Sequence, residues 1–200
     1  VKASQIEIHD LIRDRSSSRN YDPDRPISVE KIERLLEAAR WAPSAGNGQP
    51  WRYIVFDRRN EDALAQARAC LNPDNQVWAN RAPVLLLAVA KTLRASGKIN
   101  ATALHDLGLA NENILLQAVS MGLHCRPMAG FDHEGARKKF GIPHGFDPVV
   151  MVAVGYPGRI EDLAVDVQSK EMAVRTRREI NNIGFFGAWE MKDPTHRESV

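Results

Sequence analysis

Two short segments carry the residue types from which an anion receptor is built. Arg15-Ser16-Ser17-Ser18-Arg19 gathers two guanidinium groups and three hydroxyls into five residues. A guanidinium grips phosphate oxygens in a bidentate way and hydroxyls fill the remaining lone pairs, so the pattern suits a phosphate monoester. Taken alone, the motif also reads as a solvated serine-rich turn. Far downstream, Arg175, Arg177 and Arg178 form a second basic group, and an extended chain would place Arg175 and Arg177 on one side. If the two groups meet they neutralise a dianion; if they do not, the second is an ordinary charged stretch. Residues 43–51 (Pro43, Ser44, Ala45, Gly46, Asn47, Gly48, Gln49, Pro50, Trp51) form a loop of small and amide residues between a helix and a strand. Such a loop lets backbone and carboxamide groups approach a flat heteroaromatic ring, or is simply a tight connection. Small residues recur at Met128-Ala129-Gly130, where backbone amides could come within hydrogen-bond distance of a ligand.

Other chemistries are not written in the chain. The histidines form no helical zinc-hydrolase pair, and there is no nucleophile elbow, phosphate-binding Gly-Lys loop or dinucleotide glycine fingerprint. His105-Asp106 reads as helix capping or surface polarity, and Cys125 as a small buried residue. The two cysteines, Cys70 and Cys125, have no metal or disulfide spacing and suit a reduced, cytoplasmic setting. A net charge of +2 gives no polyelectrolyte signal for nucleic acid or an acidic membrane. The longest apolar run, residues 84–90, is too short to span a bilayer, and no secretory leader pattern is present.

The elements that must position these segments follow from periodicity. Ser4 and Glu7 form a capping box for a first helix ending near Arg15. Ser28 caps a second helix with Ile32, Leu35, Leu36 and Ala39 on one stripe, stopped by Pro43. Strands are expected over 52–57, 84–90 and 149–154, with a short extended piece over 124–128. Helices are expected over 60–70 and 100–121, and a small one after Asp132. Helices alternating with buried strands indicate an α/β or α+β layered domain. Residues 159–200 are charged, carry Phe185, Phe186 and Trp189 near their end, and read as a loosely docked terminus or as an arm that wraps another subunit.

Taken together, the order of these motifs resembles the FMN-dependent nitroreductases. The resemblance runs through residues 15–21, through 36–47 (Leu36-Glu37-Ala38-Ala39-Arg40-Trp41-Ala42-Pro43-Ser44-Ala45-Gly46-Asn47), and through Gln49-Pro50-Trp51-Arg52. It continues at 115–123, Met128-Ala129-Gly130-Phe131-Asp132, Val154-Gly155-Tyr156-Pro157 and Arg175-Thr176-Arg177-Arg178. It implies an α+β three-layer sandwich, with a mixed central sheet flanked by helices, in an intertwined homodimer. Residues 1–158 would be the FMN-binding core, and 159–200 an extension completing the flavin site. Arg15, Ser17, Arg175 and Arg177 match phosphate and ribityl contacts, with Ser16 in the same site. Arg19 matches a basic residue at the flavin pyrimidine edge. Pro43, Ser44 and Asn47 match a loop closing the site, partly from the neighbouring subunit, and Ala129 and Gly130 match backbone facing flavin N5 and O4. The implied reaction takes hydride from NADH or NADPH and reduces a nitroaromatic, quinone or similar small-molecule acceptor by a ping-pong mechanism, with no acid or base side chain required. Reductive dehalogenation, dehydrogenation or non-catalytic flavin binding are the alternatives the same fold allows.

Two departures from the family pattern stand out. Ser16 occupies a position where many members carry a second arginine, which places more of the phosphate binding on the late arginine pair. The stretch between Ala90 and the long helix is short, so the insertion that covers the substrate in larger members is reduced or absent.

Overall fold

The computed structural model describes residues 6–190. The chain divides into two compact units, one spanning 7–171 and the other taking in Ile6 and the described residues 172–190. The larger unit is built on a four-stranded sheet of β1 (Trp51–Asp57), β2 (Val84–Lys91), β3 (His124–Met128) and β4 (Phe146–Gly155), in the order β1-β2-β4-β3. Among the described residues all three pairings are antiparallel, where the resemblance implied a mixed sheet. The α+β class stands.

The central strand explains the layering. β2 reads Val-Leu-Leu-Leu-Ala-Val-Ala-Lys, and alternate residues enter two different cores. Val84, Leu86, Ala88 and Ala90 face a cluster formed by α2 (Val29–Arg40) and α5 (Ala103–Ser120), through Ile32, Leu35, Leu107, Ala110 and Ile114. Leu85, Leu87 and Val89 face a second cluster on the other side, with Leu64 from α3 (Glu61–Ala69), Trp78 from α4 (Pro73–Ala79), Ala136 from α6 (His133–Lys139) and Val167 from α7 (Val165–Glu171). A strand covered on both faces needs apolar residues at every position, because no side chain reaches water. Burying each leucine contributes about 1.5–3 kcal/mol. Leu163 and Val167 are buried in this second core, so residues 159–171, placed in the C-terminal extension on sequence grounds, pack within the larger unit.

Helix boundaries follow their caps. The Ser28 hydroxyl accepts from Lys31 N at 3.4 Å and starts α2; Asn60 does the same for Ala63 N at 3.0 Å and Asp132 for Gly135 N at 2.9 Å. The first helix, α1 (Asp10–Asp14), starts later than expected: His9 caps it by accepting from Leu11 N at 3.2 Å. Ser4, the expected cap, lies outside the described residues. Helix α4 is an addition to the expected elements, announced by Asn72-Pro73, a cap residue followed by proline at the first helical position.

In the smaller unit, residues 174–179 have no regular secondary structure, a 3-10 turn covers Ile180–Asn182, and the Phe185 and Trp189 rings meet with centroids 5.0 Å apart.

Candidate cofactor site

The edge strand β3 organises one half of the expected site. The segment after α1 runs beside it: the Arg126 guanidinium donates from Nη1 to the Ser17 carbonyl, and His124 Nδ1 lies 2.9 Å from the Asn20 carbonyl. Buried Ser18 donates its hydroxyl to Glu171, the last residue of α7, and the Arg19 amide donates to the same carboxylate at 2.8 Å. Asn20 donates from Nδ2 to the Gly158 carbonyl at 2.7 Å. Tyr21 is fully buried, and its hydroxyl donates to the Ser18 carbonyl at 3.1 Å. Burial, first, and the nearby Cys125 raise the Tyr21 phenol well above its ordinary range. These anchors hold the backbone with Ser18 turned inward, Ser17 exposed, and Arg15, Ser16 and Arg19 half-buried. Arg15 Nη1 reaches Ser17 Oγ at 3.4 Å, and its Nε lies 3.8 Å from Glu112 of α5. Among the described residues, the Ser16 hydroxyl and the Arg19 guanidinium make no hydrogen bond or ion pair.

β3 leads directly into Ala129 and Gly130. The Gly130 carbonyl accepts from Asn72 N at 3.1 Å and Asn75 Nδ2 at 2.9 Å. The Ala129 carbonyl accepts from Phe131 N at 3.1 Å and faces His133 Nε2 at 3.2 Å. With both carbonyls held, the amides of Ala129 and Gly130 are left with no acceptor among the described residues. A Cβ at Gly130 would stand 3.0 Å from Asn75 Nδ2 and 3.1 Å from Asn72 Nδ2, so any larger residue there would push those two carboxamides aside. Two adjacent free amides beside a partly exposed backbone form a receptor for paired acceptor atoms.

The loop over 43–49 sits elsewhere. Gly46, Asn47 and Gln49 all have positive φ, at 58°, 55° and 44°. Asparagine tolerates that region, whereas glutamine is held there against preference, a strain that persists only where surroundings impose it. Those surroundings are explicit. Ser44 Oγ accepts from Gln49 N at 3.0 Å, Gln49 Nε2 donates to Asn47 Oδ1 at 3.0 Å, and Ala45 N donates to Asp106 of α5 at 3.2 Å. Asp106 also accepts from Thr102 Oγ1 at 3.1 Å. It is buried, at 3% exposure, so of the pair His105-Asp106, expected for capping or surface polarity, only His105 lies at the surface, and the Asp106 carboxylate anchors the loop. Pro43 and Asn47 are exposed and Ser44 is half-buried.

The sheet order brings some expected residues together and separates others. Arg15, Ser16, Ser17 and Arg19 lie along the β3 edge that continues into Ala129 and Gly130. Pro43, Ser44 and Asn47 lead into β1, the opposite edge, and three strand spacings keep the two edges roughly 14 Å apart. Arg175 and Arg177 belong to the smaller unit, where both are exposed and Arg177 Nη1 donates to the Thr176 carbonyl at 2.8 Å. Asn72, Asn75, Arg126 and Glu171 join the site without having been expected from the sequence, and Asp106 in a role other than the one expected. Only Asn72, before Pro73, left a local signal.

Comparison with known proteins gives the arrangement a family. The family model described as Nitroreductase family matches residues 12–156. A protein provisionally named NADH dehydrogenase/NAD(P)H nitroreductase from Methanothermobacter thermautotrophicus is 31% identical over 160 residues, covering 78% of this chain and 80% of that protein. A protein of the same provisional name from Archaeoglobus fulgidus is 32% identical over 151 residues, covering 74% and 83%. A crystal structure described as an oxidoreductase containing FMN aligns with a TM-score of 0.88 at 31% identity, covering 95% of this chain and 96% of that one. The matched span takes in both β1 and β3 with the segments they position, and the chain belongs to the Nitroreductase family.

Proposed function

We propose that this chain is an FMN-dependent oxidoreductase that works as an intertwined homodimer, draws on NADH or NADPH, and reduces nitroaromatic, quinone or similar electron-poor acceptors in a ping-pong cycle. One observation carries the reading: a single sheet edge presents hydroxyl and guanidinium groups at one end and two free amides at the other. Arg126, beside Ser17, precedes Ala129 by three residues, about 10 Å along an extended strand and on the scale of a ribityl chain. The donor set fits FMN: cations and hydroxyls for a phosphate ester, and paired amides for the polar edge of a ring.

When bound, the flavin supplies the redox chemistry by exchanging hydride at N5. The chain's own residues bind and orient it. Arg15, Ser16 and Ser17 would hold the phosphate and ribityl groups, together with Arg175 and Arg177. Arg19, whose guanidinium makes no ion pair within the described chain, would set a fixed cation at the pyrimidine edge, where it favours added negative charge. The Ala129 and Gly130 amides would hold the ring. Pro43, Ser44 and Asn47 would close the site from the neighbouring subunit, which answers the separation of β1 from β3. The surface suits such a partner: Trp41 is 73% exposed, and it lines a groove of about 540 Å³ with Leu11, Ala38 and Leu116 among polar residues such as Arg34 and Asn113. No helix among the described residues is long and apolar enough to cross a membrane. A cytoplasmic location belongs to the same proposal, and the two thiols, buried on opposite faces of the sheet, suit a reducing compartment.

The test is anaerobic titration of the FMN-loaded protein with NADH and NADPH, followed by a panel of acceptors. Bleaching of the flavin absorbance by at least one coenzyme, and recovery with a quinone or nitro compound, is the expected result. Bleaching by neither would remove the donor assignment, and a reduced protein that reoxidises only slowly in oxygen would mark a flavin-binding protein without turnover.

A further inference from the structure

Arg126 stands out among the cations of the larger unit. It projects from β3 and its Nη1 holds the Ser17 carbonyl. Its guanidinium carbon lies 5.2 Å from the Trp78 ring centroid. Its Nε is buried with no hydrogen-bond partner, and no carboxylate lies within ion-pair distance among the described residues. The nearby carboxylate of Glu171 is already engaged by Ser18 and the Arg19 amide. Burial, first, and the neighbouring Arg19 both weaken the hold of Arg126 on its proton. A partly desolvated cation placed near a second cation, with only the shared and more distant charge of Glu171 opposite it, destabilises the empty protein. An anion seated between them would reverse the sign of that interaction and strengthen it through the low local dielectric.

We infer that Arg126 is a positioning and charge-supplying residue for the anionic end of the flavin, acting from the strand beneath Ser17. It fixes the Ser17 carbonyl, which sets the direction of the Ser16 and Ser17 hydroxyls. It also adds a cation near Arg19, from the strand that holds the Ser17 carbonyl. The inference rests on the flavin reading above and adds to it the division of labour at the phosphate.

Riboflavin, which lacks the phosphate, separates the role of Arg126 from that reading. Dissociation constants for FMN and riboflavin are measured by fluorescence titration on the wild-type chain, Arg126→Met and Arg126→Lys, with inorganic phosphate as competitor. The expected result for Arg126→Met is FMN binding weaker on the order of 10- to 100-fold, with riboflavin changed by less than about twofold. Arg126→Lys should fall between and depend more steeply on salt, since a point charge replaces a planar fork. Equal weakening of both ligands would reduce Arg126 to a packing role, and unchanged FMN binding by Arg126→Met would overturn the inference outright. A wild-type chain that binds riboflavin as tightly as FMN would remove the phosphate site and leave the flavin reading standing, whereas one that binds neither would remove both. Thermal unfolding of the wild-type chain gives a second readout free of the variants: added inorganic phosphate should raise the midpoint, and an unchanged midpoint at millimolar phosphate counts against the anion site.

Discussion

The Ala45 amide and the Asp106 carboxylate meet at 3.2 Å, joining the loop before β1 to the first turn of α5 across 61 positions of sequence. Asp106 is buried and the bond half-buried, and its removal would take from the Ala45 amide its acceptor and from Thr102 one of two, the other being Asn100 Oδ1. Asp106→Ala should lower stability by about 1–3 kcal/mol, read as a shift in the urea midpoint. Amide exchange over residues 43–49 should rise by more than exchange over β2. Uniform acceleration across both would show that the carboxylate supports the fold at large and not this loop.

Two glycines should respond differently to alanine. At Gly46 a Cβ meets nothing within 4 Å, so only the positive φ of 58° opposes it. Gly46→Ala should therefore lower stability by about 1 kcal/mol. At Gly158 a Cβ would stand 2.5 Å from the Tyr21 carbonyl oxygen and 2.6 Å from its carbon, both backbone atoms. The segment after α1 would have to leave the β4 turn, and Gly158→Ala should lower stability by about 3 kcal/mol or more. Urea unfolding of the pair decides the matter, and similar midpoints for both would contradict the close approach.

Alkaline pH should destabilise the protein. Tyr21, Tyr53 and Cys125 all have their ionisation pushed up, mainly by burial. Each is neutral when protonated, and the native state keeps the proton to higher pH than the unfolded chain. Their contribution is complete below the unfolded values, about 8.5 for a thiol and about 10 for a phenol, and is lost as pH rises toward the folded ones. The slope cannot exceed about 1.4 kcal/mol per pH unit for each group. Urea midpoints at pH 7.5, 9 and 10.5 should fall progressively, and Tyr53→Phe should flatten the last interval. A curve that stays level up to pH 10.5 would mean that these groups reach water in the native state.

How much of this was legible in the chain depends on the range of each interaction. β2 could be read because a doubly buried strand must be apolar along its length, and the caps Ser28 and Asp132 because a cap acts on an amide three residues away. The segment over 15–19 and the pair Ala129-Gly130 were visible as donor-rich or small-residue motifs. Asp106, Arg126 and Glu171 were not, because each acts on a backbone group 45 or more positions away, and nothing in their neighbours marks the partner. The mixed sheet failed for the same reason: strand direction is set by crossovers between distant segments. The strain at Gln49 was hidden because positive φ is expected of glycine, and only the Ser44 and Asn47 bonds explain a glutamine there.

The separation of the two sheet edges leads to the sharpest test of the dimer. If each flavin site takes Arg15 from one subunit and Asn47 from its partner, Arg15→Ala and Asn47→Ala should each weaken FMN binding in the pure homodimer. Mixing the two variants under conditions that exchange subunits creates a heterodimer with one site carrying both changes and one carrying neither. Random pairing makes half of the dimers mixed, so about a quarter of all sites should recover wild-type affinity. Stoichiometric FMN titration before and after exchange reads this directly. Were both residues to serve the same site from one chain, every site in the mixture would carry one defect and no high-affinity fraction would appear. Sedimentation of Trp41→Asp supplies the companion measurement: a charge on that exposed ring position should shift the chain toward monomer, and flavin affinity should fall with it.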